Sequence, residues 1–172
     1  LHKKAEFTTP PLYLPEVFRY FPYATTQPVD MLDKLSRILR VKQGQYLIQF
    51  KKSELKSQTR MSIAKDLARI IFEVERQQYP ELGSPDEKLF AYEEIIFVTN
   101  LLVPKHMLLA ELEKMDTRRN LIAELSGIFW APKTLISFQL QNILKYEKDE
   151  SSDKSKSAFS QTTSSSSEAS FS

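Results

Sequence analysis

Two cations and a carboxylate fall within the short run Lys65-Asp66-Leu67-Ala68-Arg69, and two further carboxylates stand together at Glu93 and Glu94. These are the residues whose types and spacing could do chemistry. On a helix, Lys65 and Arg69 lie one turn apart on the same side, and Asp66 is placed to pair with Arg69. Glu93 and Glu94, adjacent on a helix, point apart and do not make a natural acid/base pair. The rest of the sequence removes most other chemistries. There is no Cys, which excludes disulfides, thiolate zinc sites and Cys nucleophiles and fits a reducing compartment. His2 and His106 are the only histidines, too few for an ordinary zinc site. A Ser-His-Asp relay would need His106, which follows Pro104 at a helix start and reads as a surface or capping residue. Gly44, Gly83 and Gly127 are the only glycines, and none sits in a phosphate-cradling loop or a dinucleotide fingerprint. No catalytic residue, metal or cofactor is expected.

The elements that position these groups follow from periodicity. Arg60 to Phe72 lacks Gly and Pro and reads as helix, continuing to about Arg76. Ala64, Leu67, Ala68 and Ile71 form its apolar face, and Ser62, Asp66, Arg69, Glu73 and Arg76 form a polar stripe opposite. Tyr46 to Phe50, entered through Gly44, reads as a strand. Pro28 to Val41 is predicted helical, with Met31, Leu32, Leu35, Ile38 and Leu39 as its apolar face. Gln78 to Asp86 is a loop with Pro80, Gly83 and Pro85, in which Ser84 or Asp86 caps the next helix. That helix, Glu87 to Val103, is apolar around most of its circumference, so burial on several sides is expected. Pro104 ends it. Lys105 to Met115, Thr117 to Phe129 and Pro132 to Tyr146 are predicted as further helices.

At 172 residues with 41% hydrophobic content, the chain is long enough for one core plus extensions. A net charge of +2 selects neither nucleic acid nor an anionic membrane. No leader or membrane span is read, and a cytoplasmic protein is expected. The predicted organisation is a Pro/aromatic arm over 1–27, a domain over 28–146 and a Ser-rich tail over 147–172. The tail has too few apolar residues to order itself. The arm holds Pro10, Pro11, Pro15 and Pro22 among Phe7, Tyr13, Phe18, Tyr20, Phe21 and Tyr23. Either it lies extended over the domain with its rings buried, or it binds a partner.

Four segments, in this order and spacing, resemble the ImmA/IrrE family of intracellular metallopeptidases. Pro28-Val29-Asp30 resembles the family's P-V-D helix entry. Arg60 to Arg69 resembles R-F-T-x-A-H-E-L-G-H. Glu93 to Pro104, ending Leu101-Leu102-Val103-Pro104, resembles E-A-N-x-F-A-A-x-L-L-M-P, the helix that brings the third metal ligand. Leu121 to Leu140 resembles the helical pair that follows. The resemblance covers about 28–144 and implies an α+β, mostly helical zincin-like domain with a small sheet. The departures carry the functional expectation. Lys65 and Arg69 stand at the two ligand histidines, Asp66 at the general-base Glu and Ala68 at a Gly, and Glu93 alone survives as a ligand. Two cations repel a zinc ion. The resemblance therefore implies a catalytically inactive protein acting through a protein partner, a helix-turn-helix regulator, in transcriptional control. It also implies that Glu93 faces Lys65 and Arg69 and fills the vacated metal site with a charge pair, Arg69 being the better partner. Read from the residues alone, Lys65, Asp66 and Arg69 are equally an ordinary solvated helix face, and Glu93 an ordinary solvent-facing carboxylate.

Two other functions remain open on the sequence. Segment 117–146 also resembles a helix-turn-helix, with Ala123 and Gly127 at the expected offset, and would make the chain a DNA-binding regulator. Its turn Phe129-Trp130-Ala131 is apolar, however, and its second helix offers Gln139, Gln141 and Asn142 with only Lys133 as an early cation, so nucleic acid is not favoured. The third reading is a hydrolase with an unrecognised site.

Overall fold

The computed structural model describes residues 7–42, 44–52, 56–82, 86–115 and 120–145. Thr117, Ser84, Gly83, Pro85, Tyr146 and the Ser-rich tail over 147–172, on which expectations were placed above, lie outside the described residues. Among those described, three strands form one sheet accompanied by six helices, a mixed α+β architecture.

The strands are β1 (Ala24–Val29), β2 (Ser36–Lys42) and β3 (Gln45–Lys51), in the order β1-β3-β2. β1 runs parallel to β3 with Ala24 opposite Tyr46, and β2 runs antiparallel with Ser36 opposite Phe50. The predicted strand Tyr46 to Phe50 is thus the central one. Its inward residues Tyr46 and Ile48 are buried, as period-two alternation requires. Gly44 takes φ 72° in the turn before it, a conformation that favours glycine.

The helix predicted for Pro28 to Val41 does not form. The end of β1, a short connection and β2 occupy that stretch. Pro28 fits β1 because β1 is an edge strand, where a missing N–H need not break a ladder. The supposed apolar helix face is not one surface: Met31 is buried, while Leu32 is 99% exposed and Leu35 and Leu39 are also exposed. Cross-strand pairing with β3 outweighs the local 3.6-residue spacing.

The segment before the sheet is folded onto its own domain. It holds the short helix α1 (Leu14–Phe18), and Leu12, Leu14 and Val17 are buried in the main core. Phe7, Phe18, Phe21 and Tyr23 pack against that core, while Tyr13 and Tyr20 face solvent. The boundary expected between 27 and 28 falls inside β1.

The helix α2 (Ser57–Gln78) crosses the inner face of the sheet and packs against α3 (Glu87–Leu102). Ala64, Leu67 and Ala68 are fully buried, as the apolar face predicted, and the two alanines permit close approach. α2 stops before Tyr79-Pro80, and α3 stops before Val103-Pro104, since a residue preceding proline is pushed out of helical geometry. Asp86 caps α3 by accepting from the Lys88 N–H at 3.1 Å. α3 is less enclosed than expected: Leu89 and Tyr92 remain 52% and 55% exposed. α4 (Lys105–Leu112), α5 (Leu121–Phe129) and α6 (133–145) close the core with Met107, Leu108, Leu125, Phe129, Leu135 and Ile136. Asn120 caps α5 through the Ala123 N–H at 3.2 Å. Among the described residues no single helix is long and apolar enough to cross a membrane; α3 and α4 reach that length only as a pair bent by 50°.

Candidate functional site

Where α2 meets α3 and β2, four ionisable groups converge. α2 presents Lys65, Asp66 and Arg69, and α3 presents one carboxylate. That carboxylate is Glu94, not Glu93. Arg69 Nε donates to Glu94 Oε2 at 2.6 Å, and Lys65 Nζ lies 3.6 Å from Glu94 Oε1. The side chain of Glu94 is 8% exposed, against 34% for Lys65 and 50% for Arg69. The expected bridge of two cations on one carboxylate is present, one residue further along. The reason is helical phase. Glu94 lies four residues before Val98 and eight before Leu102, the stripe of α3 buried against α2. Glu93 lies on the adjoining stripe with Leu89, Ile96 and Phe97, and is exposed.

Asp66 faces the other way, towards the sheet. Ser36, at the start of β2, donates to Asp66 Oδ2 at 2.5 Å, and Ser36 Oγ lies 2.6 Å from Ser62 Oγ. A hydroxyl has one proton, so with Ser36 donating to Asp66, Ser62 donates to Ser36. Burial pushes the Asp66 carboxyl above its ordinary range and the charge of Glu94 adds to this, while the Ser36 hydrogen bond and Arg69 pull it down. Ser36 falls in the stretch predicted to be helical, and Ser62 is read from the sequence only as part of the polar stripe. Only the strand assignment of residues 36–42 brings Ser36 to this position, so nothing local in the sequence marked it.

The remainder of the polar stripe on α2 is also engaged. Glu73 accepts from Arg40 on β2, and Arg76 lies over the ring of Phe90 at 5.1 Å. The stripe is therefore a seam joining α2 to β2 and α3, not a freely solvated face.

This arrangement is charge-balanced and internally satisfied. Both oxygens of Glu94 face cations, and Asp66 is held by a hydroxyl. Among the described residues no group of three or more His, Cys, Asp or Glu could hold a metal ion. A serine hydroxyl on a carboxylate, without an imidazole, also lacks the base that shuttles a proton from nucleophile to leaving group.

The raised Asp66 carboxyl gives a pH signature. An acid that binds its proton more tightly in the folded state contributes most stability below its unfolded value and loses it as pH rises through the folded value. Asp66→Asn is therefore expected to be more stable than the parent at pH 7, with the advantage shrinking as pH falls towards about 4. Urea denaturation across that range checks it; a variant less stable at pH 7 would mean that the hydrogen bond to the ionised form outweighs burial.

In the helix-turn-helix-like segment, α5 and α6 flank a turn in which Phe129 and Ala131 are buried and Trp130 is left-handed at φ 49°. Gln139, one of the three polar side chains offered for base readout, is 3% exposed. It donates to the Val103 carbonyl at 2.8 Å and to Asn100 Oδ1 at 3.2 Å. It is a core-facing residue that ties α6 to the end of α3.

No family model, no curated protein and no solved structure matches this chain.

Proposed function

We propose that this chain is a non-catalytic, ImmA/IrrE-like zincin relic that acts in the cytoplasm by binding another protein. The setting implied by the resemblance is transcriptional control, with a helix-turn-helix regulator as partner. One observation carries the reading: Glu94 is clamped between Lys65 and Arg69, the two positions where the resembled motif has its histidines. A side chain from the following helix reaches the motif helix at that point, and cations complement it where a metal would. The burial of Gln139 weighs against direct base readout by α6.

The experiment is a back-substitution. The purified parent is expected to carry no stoichiometric zinc and to show no metal-dependent peptidase activity. The variant Lys65→His, Asp66→Glu, Arg69→His is expected to bind one equivalent of zinc through the two introduced imidazoles and Glu94. Adding Glu94→Gln is expected to weaken that binding by roughly tenfold or more, whereas adding Glu93→Gln leaves it unchanged. A folded triple variant that does not take up zinc would break the relationship to metallopeptidases. Chelator-sensitive peptidase activity in the parent would overturn the non-catalytic assignment.

A further inference from the structure

We propose that the open groove on the outer side of α3 is where a partner protein docks an amphipathic helix, with one basic side chain of that helix set against Glu93. This deepens the binding reading above and rests on it.

The groove has a volume of about 630 Å³ and is lined by Phe72 of α2 and by Leu89, Tyr92, Glu93, Ile96 and Phe97 of α3, among others. Its α3 residues recur at steps of three and four, so they form one stripe along about three turns, roughly 16 Å at 1.5 Å per residue. Leu89 and Tyr92 are more than half exposed, and a contiguous apolar surface of this kind marks an interaction site rather than scattered surface residues. The floor is already built. Phe72 packs edge-on against Phe90 at 5.6 Å and against Phe97 at 6.1 Å. A ligand entering such a groove orders little that is not already ordered.

Two features select a helix as the occupant. The surface is a helix face, whose backbone groups are spent within α3, so it has no strand edge to extend. Its side chains rise in ridges at helical spacing, and such ridges interdigitate with those of another helix.

Charge selects the rest. Glu93 is the one charged residue among the groove's lining, and it makes no ion pair among the described residues. The nearby cations of α2 are committed elsewhere: Lys65 and Arg69 to Glu94, and Arg76 to the ring of Phe90. An apolar partner that covers the groove strips water from Glu93 and must supply a cation or leave a lone carboxylate desolvated. A second copy of this chain would bring another Glu93 to the same surface. An anionic lipid surface would bring further negative charge.

The test uses three synthetic sixteen-residue helical peptides with identical leucines at heptad spacing. They differ only in the polar residue at the centre of the apolar face: Lys, Gln or Glu. Binding to the full chain is measured by fluorescence anisotropy at near-physiological salt. The Lys peptide is expected to bind at least about tenfold more tightly than the Glu peptide, with Gln between them. Glu93→Lys is expected to invert the order, and Leu89→Glu to abolish binding of all three. Both substitutions are at exposed positions, and circular dichroism confirms that the variants fold. Three peptides binding equally, or none binding, would overturn the proposal. So would self-association that Leu89→Glu abolishes, which assigns the groove to a second copy. Sedimentation with phosphatidylcholine/phosphatidylserine vesicles that is lost in Leu89→Glu would assign it to lipid. None of these outcomes touches the zinc and peptidase measurements, so failure of the groove and failure of the non-catalytic reading are read separately.

Discussion

Replacing Arg60 by methionine is expected to destabilise the protein by about 2–4 kcal/mol, the largest effect of any single substitution proposed for this chain. Arg60 is 3% exposed and lies in the first turn of α2. Its Nη2 donates to the Leu12 carbonyl at 2.8 Å and its Nε to the Trp130 carbonyl at 3.2 Å. The guanidinium also lies 5.8 Å from the centre of the Trp130 ring. Burial pushes its pKa down to about 10, which still leaves it charged at neutral pH. One cation thus ties the N-terminal segment, the motif helix and the left-handed residue that ends α5. Methionine keeps much of the stem's packing but deprives two carbonyls of their donor, and each such loss costs roughly 1–3 kcal/mol. Loss of the desolvation penalty of the guanidinium returns part of this. Arg60→Lys, with a point charge in place of the fork, is expected to fall between parent and methionine variant. Urea denaturation measures both. The methionine variant should also be cut faster by protease near residues 7–12, because the segment loses its anchor. A loss below about 1 kcal/mol with unchanged proteolysis would show that apolar burial of Leu12, Leu14 and Val17 holds the segment unaided.

Arg60 illustrates what was legible in the sequence and what was not. β3 and α2 could be read because their signals are local: a glycine where φ is positive, alternating Tyr46, Ile48 and Phe50, and a long run free of helix breakers. The ends of α2 and α3 were set by Pro80 and Pro104 and by the Asp86 cap, which are equally local. β2 could not be read, because its apolar residues fall at helical spacing and only pairing with β3 decides against a helix. With β2 lost, Ser36 and its hydrogen bond to Asp66 were lost too. Arg60 was visible as a helix residue, but its two acceptors lie 48 and 70 residues away in sequence. The clamp of two cations on one carboxylate of α3 was anticipated in kind and missed by one residue. Both candidate stripes of α3 are apolar, so the pattern alone does not say which one faces α2. Counting back from Pro104 chose Glu93, and packing chose Glu94.

The clamp carries a second large expectation, and an asymmetric one. Glu94 is nearly buried, whereas Lys65 and Arg69 are one-third and one-half exposed. Neutralising the acid should therefore be cheap. In Glu94→Gln the two cations turn to water, and the expected loss is below about 1 kcal/mol. Removing the cations is different. In Lys65→Met, Arg69→Met the carboxylate stays enclosed with no positive charge to match it, and the expected loss is about 3–5 kcal/mol. Arg69→Met alone should cost less, because Lys65 can close on the carboxylate from its present 3.6 Å. Adding Glu94→Gln to the double variant should recover most of the loss, a non-additivity of the kind expected of groups in direct contact. Urea denaturation of the parent and these four variants measures every corner. If Glu94→Gln proves as costly as removing both cations, then the carboxylate itself is what the packing of α2 on α3 requires. The cations would then be solvated neighbours rather than a replacement for a metal.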